Sequence, residues 1–406
     1  MEVAKGFQIR AWADWIEEDE SFSSYFFHLE KKHRTDHWIA AVQNDDGQIV
    51  ASPEGLCLSF SAFYSSLFTA EPTDANAQES PLSKIESLLP VQSESCDGLS
   101  VLECLEALSG MAKRKAPALH GLPAEFYLKF WHVLGQDLVD VLNSCYAAAS
   151  LTLSQHRGII SLSFKKGDQL DMRNWCPISL LNVDYKLAAR AIAARLLKVI
   201  HLVVAEEQTC GVPGRCIGEN VTFLRDVVSY ATMFDSPVAI LSLDQEKAFD
   251  RVDWSFMYAT LGKIGFGTSV LQWVNLFYTG VQSSVNVNGH LSPFLSLSRG
   301  VRQGCPLSPL LVAEVLACNI RANPRIKGLC LPESSDPLSP ISQYADDTSL
   351  VVCSDDAIRA CFNVYEVYER GSGFRLNLSK AKGLWLGPWA NCSDPPVGLE
   401  WSSVKI

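Results

Sequence analysis

Three aspartates on two separate segments constrain the fold of this 406-residue chain more than any other feature. Asp244 ends the apolar run Val238–Leu243, which predicts a short buried strand. Asp346 and Asp347 precede the apolar run 350–353, and this pattern predicts a β-hairpin with both aspartates at or near its turn. Carboxylates that converge from neighbouring strands provide the hard oxygen ligands that Mg²⁺ prefers. They predict a nucleotidyl-transfer site in which two ions about 3.5–4 Å apart clamp the attacking and leaving oxygens.

For the pair Asp346-Asp347 alone, an ordinary acidic turn is the simpler interpretation. Adjacent residues on a strand point to opposite faces, so one aspartate is placed better than the other. Further motifs favour the metal site. In chain order, residues 242–250, residues 299–309 and the run Tyr344-Ala345-Asp346-Asp347 resemble the successive palm motifs of reverse transcriptases.

Other segments extend the resemblance to the reverse transcriptases of non-LTR, LINE-type retrotransposons. The matching segments are 25–32 and 63–68 for the linker before the polymerase, 174–182 and 211–215 with Asn220 for the fingers, and 373–380 and 383–387 for the palm motif after the aspartates. The resemblance implies an α+β fold with the fingers and palm of a right-hand polymerase. It also implies a small antiparallel palm sheet, a helical linker before it, and no thumb.

The same resemblance divides the chain into five parts. Glu, Pro, Ser and Gln dominate the second part, and this composition is typical of a loose connection. The expected parts are 1–68 for a module resembling the endonuclease–polymerase connector, 69–98 for a flexible connection, 99–235 for a fingers-like region, 236–392 for a palm-like region with the aspartates, and 393–406 for a truncated tail.

The resemblance implies catalytic roles for four residues. Asp244, Asp346 and Asp347 match the metal-binding triad, with Asp347 as its more peripheral member. Lys380 matches the lysine that protonates the leaving pyrophosphate, a general-acid role that requires a positioned, protonated group. A solvated surface lysine is the alternative interpretation of Lys380.

Five further positions match residues that bind the incoming nucleotide. Phe249 falls at the steric gate, where an aromatic ring excludes a 2′-hydroxyl, although a core aromatic is the alternative. Gln303, in a loop bracketed by glycines, resembles the residue that packs on the nascent base pair. Lys165 and Lys166 fall where a lysine contacts the triphosphate, with Lys166 preferred, and the backbone around Gln245 is expected near the same group.

Three positions depart from the family pattern. Cys176 replaces an arginine that grips the triphosphate as a bidentate, permanently charged fork, and a thiol cannot take over that contact. Ala118 and His120 alter the turn chemistry of a segment that otherwise reads Pro-Gly-x-Asp-Gly. The resemblance begins after the apurinic-type endonuclease and stops before the thumb, so we expect a truncated, decayed copy of a retrotransposon reading frame.

The predicted reaction is template-guided attack of a primer 3′-hydroxyl on the α-phosphate of a deoxynucleoside triphosphate. Its partners would be an RNA template and a DNA primer, and its cofactor two Mg²⁺ ions, with Mn²⁺ as a substitute. One alternative is a catalytically silent nucleic-acid-binding or interaction protein, which Cys176, Ala118 and His120 favour. The other is an RNA-dependent RNA polymerase, which Phe249 and Tyr344 oppose.

Composition limits how the chain can bind nucleic acid and metal ions and in which cellular compartment it is expected. A net charge of −11 argues against a protein that coats nucleic acid through its overall charge, and leaves local basic stretches such as 113–115 and 186–198 for that purpose. The 13 cysteines contain no Cys-x-x-Cys spacing and form no zinc signature. No run reaches the ~18 apolar residues of a membrane span, and the start does not resemble a signal peptide. We therefore expect a nuclear or cytoplasmic protein that is not secreted; the sequence does not indicate its oligomeric state.

Overall fold

The computed structural model describes residues 38–44, 46–85, 98–302, 310–332, 336–391 and 398–403. The predicted linker match at residues 25–32 lies outside these ranges. The helices are α1 Pro53–Phe68, α2 Ala75–Leu82, α3 Val101–Ser109, α4 Ala124–Lys129, α5 Trp131–Ala147, α6 Leu153–His156, α7 Val183–Leu197, α8 Ile200–Val203, α9 Ile217–Met233, α10 Ala248–Arg251, α11 Trp254–Ile264, α12 Thr268–Tyr278, α13 Leu310–Ala322 and α14 Asp355–Ser372. The strands are β1 Val42–Gln43, β2 Ile49–Val50, β3 Arg157–Phe164, β4 Trp175–Leu181, β5 Val238–Leu243, β6 Gln282–Val287, β7 His290–Leu291, β8 Leu295–Ser296, β9 Ile341–Tyr344, β10 Asp347–Val352, β11 Lys382–Leu386 and β12 Glu400–Ser403.

The elements form an α+β fold with two larger sheets. The first, which we call the aspartate sheet, has the order β12-β11-β5-β10-β9. The second has the order β4-β3-β6-β7, with β8 also paired to β6. The strands predicted from the apolar runs 238–243 and 350–353 coincide with β5 and β10 to within a few residues. No helix in the described ranges is long and apolar enough to cross a membrane.

The aspartate sheet is antiparallel except at one edge, where β11 and β12 run parallel. The small antiparallel sheet that the resemblance implies thus carries one parallel pairing at this edge, where residues 400–403 add a strand. Trp401 explains the pairing, because its ring stacks on Trp385 with centroids 3.9 Å apart. Gly383 makes room for this ring, since a Cβ there would lie 2.1 Å from Trp401 Cε3.

Part of the predicted flexible connection forms the helix α2. Asp74 caps it by accepting hydrogen bonds from the amides of Asn76 (2.9 Å) and Ala77 (3.3 Å). The helix packs closely on α14, where a Cβ at Gly371 would lie 2.6 Å from the Ala77 carbonyl oxygen. The polar composition of α2 does not indicate a helix, because α2 is stabilised by this tertiary contact and has no apolar stripe of its own.

The N-terminal elements pack directly on the second sheet. A β1–β2 hairpin precedes the helix α1 in this part of the chain. The Tyr64 hydroxyl, fully buried on α1, donates a 2.8 Å hydrogen bond to the carbonyl of Trp175 on β4. At the other end of α1, the Arg299 Nε donates to the Leu67 carbonyl at 2.7 Å. Both contacts fix α1 against motifs that lie more than 100 residues away.

A half-buried ion pair joins α3 to α7. Arg195 donates from Nε and Nη2 to the two carboxylate oxygens of Glu103, at 2.7 and 2.9 Å, and Glu103 also completes a capping box with Ser100. The hydrogen bond from Arg195 and those from Ser100 lower the pKa of Glu103 to about 2, against the opposing effect of burial. Bidentate geometry makes this pair stronger than an ordinary surface ion pair.

We expect Glu103→Gln to lower the free energy of unfolding by about 1–2 kcal/mol at pH 7, since each pKa unit corresponds to about 1.36 kcal/mol and partial exposure screens the pair. The folded-state pKa lies below the unfolded-state value, so the stabilisation is present above about pH 4.5 and is lost as pH falls toward about 2. Urea unfolding of both proteins between pH 7 and pH 3 measures this, with Glu106→Gln on the exposed side of α3 as the control. A difference that does not change with pH would contradict the assignment.

Candidate active site

The pairing of β5 with β10 brings the predicted aspartates together. Leu243 pairs with Thr348 in antiparallel register, so that one residue further along Asp244 lies level with Asp347. In the hairpin, Tyr344 pairs with Asp347, which leaves a two-residue turn of Ala345 and Asp346. All three predicted aspartates therefore lie at one end of the aspartate sheet.

The hairpin turn is strained and is held by a neighbouring side chain. Ala345 has φ 56°, a left-handed conformation that is uncommon for residues other than glycine. The buried Gln208 binds this residue with both ends of its amide: Nε2 donates to the Ala345 carbonyl at 3.1 Å and Oε1 accepts from the Ala345 amide at 2.9 Å. We call this pair of hydrogen bonds the Gln208 clamp; no sequence motif pointed to it.

Two residues of the predicted fingers motifs support the clamp. Arg215 donates to the carbonyls of Gln208 (2.9 Å) and Val204 (3.1 Å), which fixes the segment before the clamp. Asn220 donates from Nδ2 to the Ser342 hydroxyl (2.7 Å) and the Gln343 carbonyl (3.0 Å) on β9. These motif residues therefore connect α9 and its preceding loop to the aspartate hairpin.

The negative charges of Asp244 and Asp347 act on the carboxyl group of Asp346. Burial raises the pKa of Asp346, and the charges of Asp347 and Asp244 raise it further, while Lys165 acts in the opposite direction. Within the described ranges, no three acidic, histidine or cysteine side chains are grouped closely enough to enclose one ion. The donor set nevertheless suits Mg²⁺, which takes only one or two carboxylates when waters and substrate phosphates complete its shell.

Lys380 lies beside the first aspartate. Its Nζ is 3.3 Å from Asp244 Oδ2. The backbone explains the juxtaposition: the Asn377 amide donates to the Asp244 carbonyl at 2.8 Å, and the Glu246 amide donates to the Arg375 carbonyl at 2.8 Å. These two backbone hydrogen bonds join the loop after β5 to the turn before β11, and Lys380 lies in that turn.

The loop after Asp244 carries two more predicted residues. Gln245 is buried and forms a backbone bridge with Leu376, and its Oε1 has no hydrogen-bond partner. Phe249 is half-buried on α10 against the main core, and its carbonyl accepts a 2.7 Å hydrogen bond from the Val301 amide. Gln303, the residue predicted to pack on the base pair, lies outside the described ranges.

The β3–β4 hairpin carries the predicted triphosphate residues. Lys165 and Lys166 follow β3 and are exposed, and the Lys165 amide donates to the Asn174 carbonyl at 3.0 Å. Cys176 is half-buried on β4, opposite Ser163. Of the two lysines, Lys165 is the one whose charge acts on Asp346.

Lys247 is a residue near the site that sequence reasoning missed. It has φ 48° at the start of α10, and its Nζ lies 3.5 Å from the Trp175 carbonyl and 5.8 Å from the centre of the Phe63 ring. Burial lowers the pKa of Lys247, while the nearby groups of Asp250 and Cys176 act in the opposite direction. The Lys247 ammonium therefore lies beside position 176, where the resemblance implies an arginine. The sequence alone does not show that these two residues are close.

The comparisons with known proteins agree with the motifs. The family described as reverse transcriptase (RNA-dependent DNA polymerase) matches residues 164–391. The chain is 36% identical over 413 residues to the transposon TX1 uncharacterized 149 kDa protein of Xenopus laevis, covering 99% of this chain and 31% of that protein. It is 27% identical over 221 residues to the retrovirus-related Pol polyprotein from type-1 retrotransposable element R2 of Popillia japonica, covering 53% of this chain and 30% of the relative.

A third relative is the retrovirus-related Pol polyprotein from type-2 retrotransposable element R2DM of Drosophila melanogaster, which is 28% identical over 174 residues, with 43% of this chain and 16% of the relative covered. The chain spans about a third or less of the length of these relatives. The family match covers more than half of the chain and includes all three aspartates. The chain belongs to the reverse transcriptase (RNA-dependent DNA polymerase) family, in its non-LTR retrotransposon branch.

Proposed function

We propose that this chain extends a DNA primer along an RNA template by nucleotidyl transfer from deoxynucleoside triphosphates. The observation that carries the proposal is the register of β5 and β10, which brings Asp244 level with Asp347 and close to Asp346, the residue after the clamped Ala345. The cysteines within the described ranges are free thiols, which supports a reducing compartment, nuclear or cytoplasmic.

The fold supports a division into polymerase subdomains. Residues 236–392 act as the palm, because they hold most of the aspartate sheet and all three aspartates. Residues 99–235 act as the fingers, because they hold the β3–β4 hairpin and the helices around it. Residues 1–68 and 69–98 precede this core and residues 393–406 follow it.

Asp244 and Asp346 would hold Mg²⁺, or Mn²⁺ in its place, with Asp347 as a more peripheral ligand. Two such ions supply Lewis-acid stabilisation of the charge that develops on the phosphate oxygens. The Gln208 clamp binds Ala345 and thereby keeps the next residue, Asp346, in position. The hydrogen bond from the Asn377 amide to the Asp244 carbonyl keeps Asp244 in position. The protein's own contribution is therefore to fix carboxylates that would otherwise repel one another.

Lys380 would donate the proton that the leaving pyrophosphate requires. Its ammonium lies 3.3 Å from Asp244 Oδ2, which keeps it within reach of the reacting phosphates. Phe249 would exclude a 2′-hydroxyl, and the backbone around Gln245 would approach the triphosphate. Gln303 would pack on the nascent base pair.

The triphosphate would be gripped by cations on the β3–β4 hairpin. Lys165 is the stronger candidate of the two predicted lysines, since its charge reaches Asp346, and Lys166 is the second. Cys176 supplies no charge at the position of the missing arginine. This thiol favours the second candidate function, a protein that binds primer and template without efficient catalysis.

The first test is primer extension on a poly-ribonucleotide template with deoxynucleotides and Mg²⁺. We expect Asp346→Asn to lower the rate more than about 100-fold, because the loss of one metal-binding charge costs several kcal/mol of transition-state stabilisation. Asp226→Asn, at an exposed ion pair on α9, is the matched control and should extend normally. Extension that survives in Asp346→Asn would refute the assigned site, and no extension from the unmodified chain would favour the binding candidate.

The Gln208 clamp can be tested separately. Gln208→Ala removes both hydrogen bonds to Ala345, so we expect it to lower the free energy of unfolding by about 1–3 kcal/mol. It should also slow extension by about 10- to 100-fold, because a displacement of about 1 Å in a catalytic group has effects of this size. Gln136→Ala, on the exposed face of α5, is the control. Lower stability with an unchanged extension rate would show that the clamp serves stability alone.

Cys176→Arg should restore a charged grip on the triphosphate. Charge-assisted hydrogen bonds contribute about 1.5–3 kcal/mol, so we expect deoxynucleotide affinity for the primer–template complex to rise by about 10- to 100-fold. Equilibrium titration with a fluorescent deoxynucleotide measures this whether or not the chain is active. Cys176→Met, which adds length without charge, should leave the affinity unchanged. An unchanged affinity in Cys176→Arg would mean that the cysteine is not the main defect.

A further inference from the structure

Two basic stretches that lie far apart in the sequence meet at one cavity. The loop after α3 contributes Lys115, and α7 contributes Lys186 and Arg190. The cavity has a volume of about 170 Å³, and apolar groups such as Pro117 and Val183 line part of it. We call it the basic pocket.

The position of the basic pocket on α7 favours an anion. Val183, Lys186 and Arg190 are spaced by three and four residues, so they share one face of the first two turns of the helix. The side chain of the N-cap residue Asn182 does not cap the helix, because its amide contacts the Ser154 carbonyl (2.8 Å) and the His120 amide (3.3 Å). The buried Asp184 accepts a 2.9 Å hydrogen bond from the Tyr185 amide in the first turn, so the cations of the pocket, and not the helix dipole, supply its positive potential.

Basic side chains outnumber acidic ones in the lining of the basic pocket. Glu125 is the one acid among its lining residues, and its carboxylate accepts a hydrogen bond from the Arg114 amide. Across the described ranges, no carboxylate forms an ion pair with Lys115 or Arg190. Gly110 leaves room for the Arg190 guanidinium, since a Cβ there would lie 3.0 Å from Nη2. In a chain of net charge −11, a cluster of cations around one cavity is a local exception.

The distance from the nucleotide site decides which anion fits. Cys176 and Val183 are seven residues apart, and β4 occupies most of that interval, so the pocket lies roughly 20 Å from the hairpin residues proposed to hold the triphosphate. A single bound deoxynucleotide cannot reach both places. A polynucleotide strand that leaves the reacting base pair can do so.

We infer that the basic pocket binds a backbone phosphodiester of the template strand, a few nucleotides from the reacting base pair. Arginine and lysine recognise such a group through charge and hydrogen bonds, without regard to base sequence. The inference rests on the proposed function only for the identity of the strand as RNA.

The test is the salt dependence of equilibrium binding, measured without nucleotides or catalysis. The ligand is an RNA–DNA hybrid whose template overhangs the primer terminus by ten nucleotides. For Lys115→Gln combined with Arg190→Gln, the slope of log K against log salt should become less steep by about 0.7–0.9 for each phosphate no longer neutralised. The control is Lys263→Gln combined with Lys327→Gln, which removes the same charge from exposed sites elsewhere.

The hybrid's shape provides a second comparison. With a blunt-ended hybrid, the pocket variant and the control should have equal slopes, because no overhanging template reaches the pocket. Equal slopes on the overhanging hybrid would overturn the inference, as would a pocket variant that weakens deoxynucleotide binding and leaves the template slope unchanged. If the double variant loses stability in urea, Lys115→Gln alone carries the test, since this side chain is exposed.

This experiment separates the pocket from the polymerase proposal. A chain that fails to extend a primer would refute the proposed activity and leave the binding slopes measurable. A chain that extends a primer while both variants bind alike would refute the pocket alone.

Discussion

The proposed active site depends on the register between β5 and β10. Side chains alternate along a strand, so a slip of one residue would turn Asp244 to the opposite face of the sheet and away from Asp347. The observed pairing of Leu243 with Thr348 prevents this, and buried apolar side chains on both strands enforce it. The hairpin turn then has only two residues, so Asp346 cannot move far from its neighbours. The chemistry thus follows from a packing constraint in residues that carry no charge.

A single acid outside the predicted polymerase core connects the loops around this site. Glu71, which follows α1, binds three arginines: Arg251 (3.4 Å), Arg299 (3.0 Å) and Arg375. They come from the ends of three separate motifs, and Arg299 also holds the last turn of α1 through the Leu67 carbonyl. The Arg251 and Arg299 side chains are buried, so the loss of Glu71 would leave buried charge with less compensation. The segment that resembles a linker is therefore built into the structural support of the catalytic loops.

Local patterns allowed the strands and the aspartates to be predicted from the sequence, because apolar runs that end in turn residues encode strands directly. The helix α2 was hidden because its stability comes from close contact with Gly371 and not from its own sequence. The Gln208 clamp was hidden for a related reason: its amide serves Ala345, a residue 137 positions away. The β12 strand depends on Trp401 fitting over Gly383. Each of these features requires two distant segments at once, and a single sequence does not show which segments meet.

The distribution of cations explains how an acidic chain can serve nucleic-acid chemistry. Acidic residues exceed basic ones, 45 to 34, so long-range attraction to a phosphate backbone is weak. Binding must then come from short-range sites where cations are concentrated. Lys165 near Asp346 and Lys247 beside Cys176 provide such charge at the nucleotide end, and the basic pocket provides it at the far end of β4. Because Lys247 lies close to position 176, the proposed site would keep some positive charge there although Cys176 supplies none. The proposed site would then lack the bidentate geometry of an arginine contact with the triphosphate, since a single ammonium cannot reproduce it.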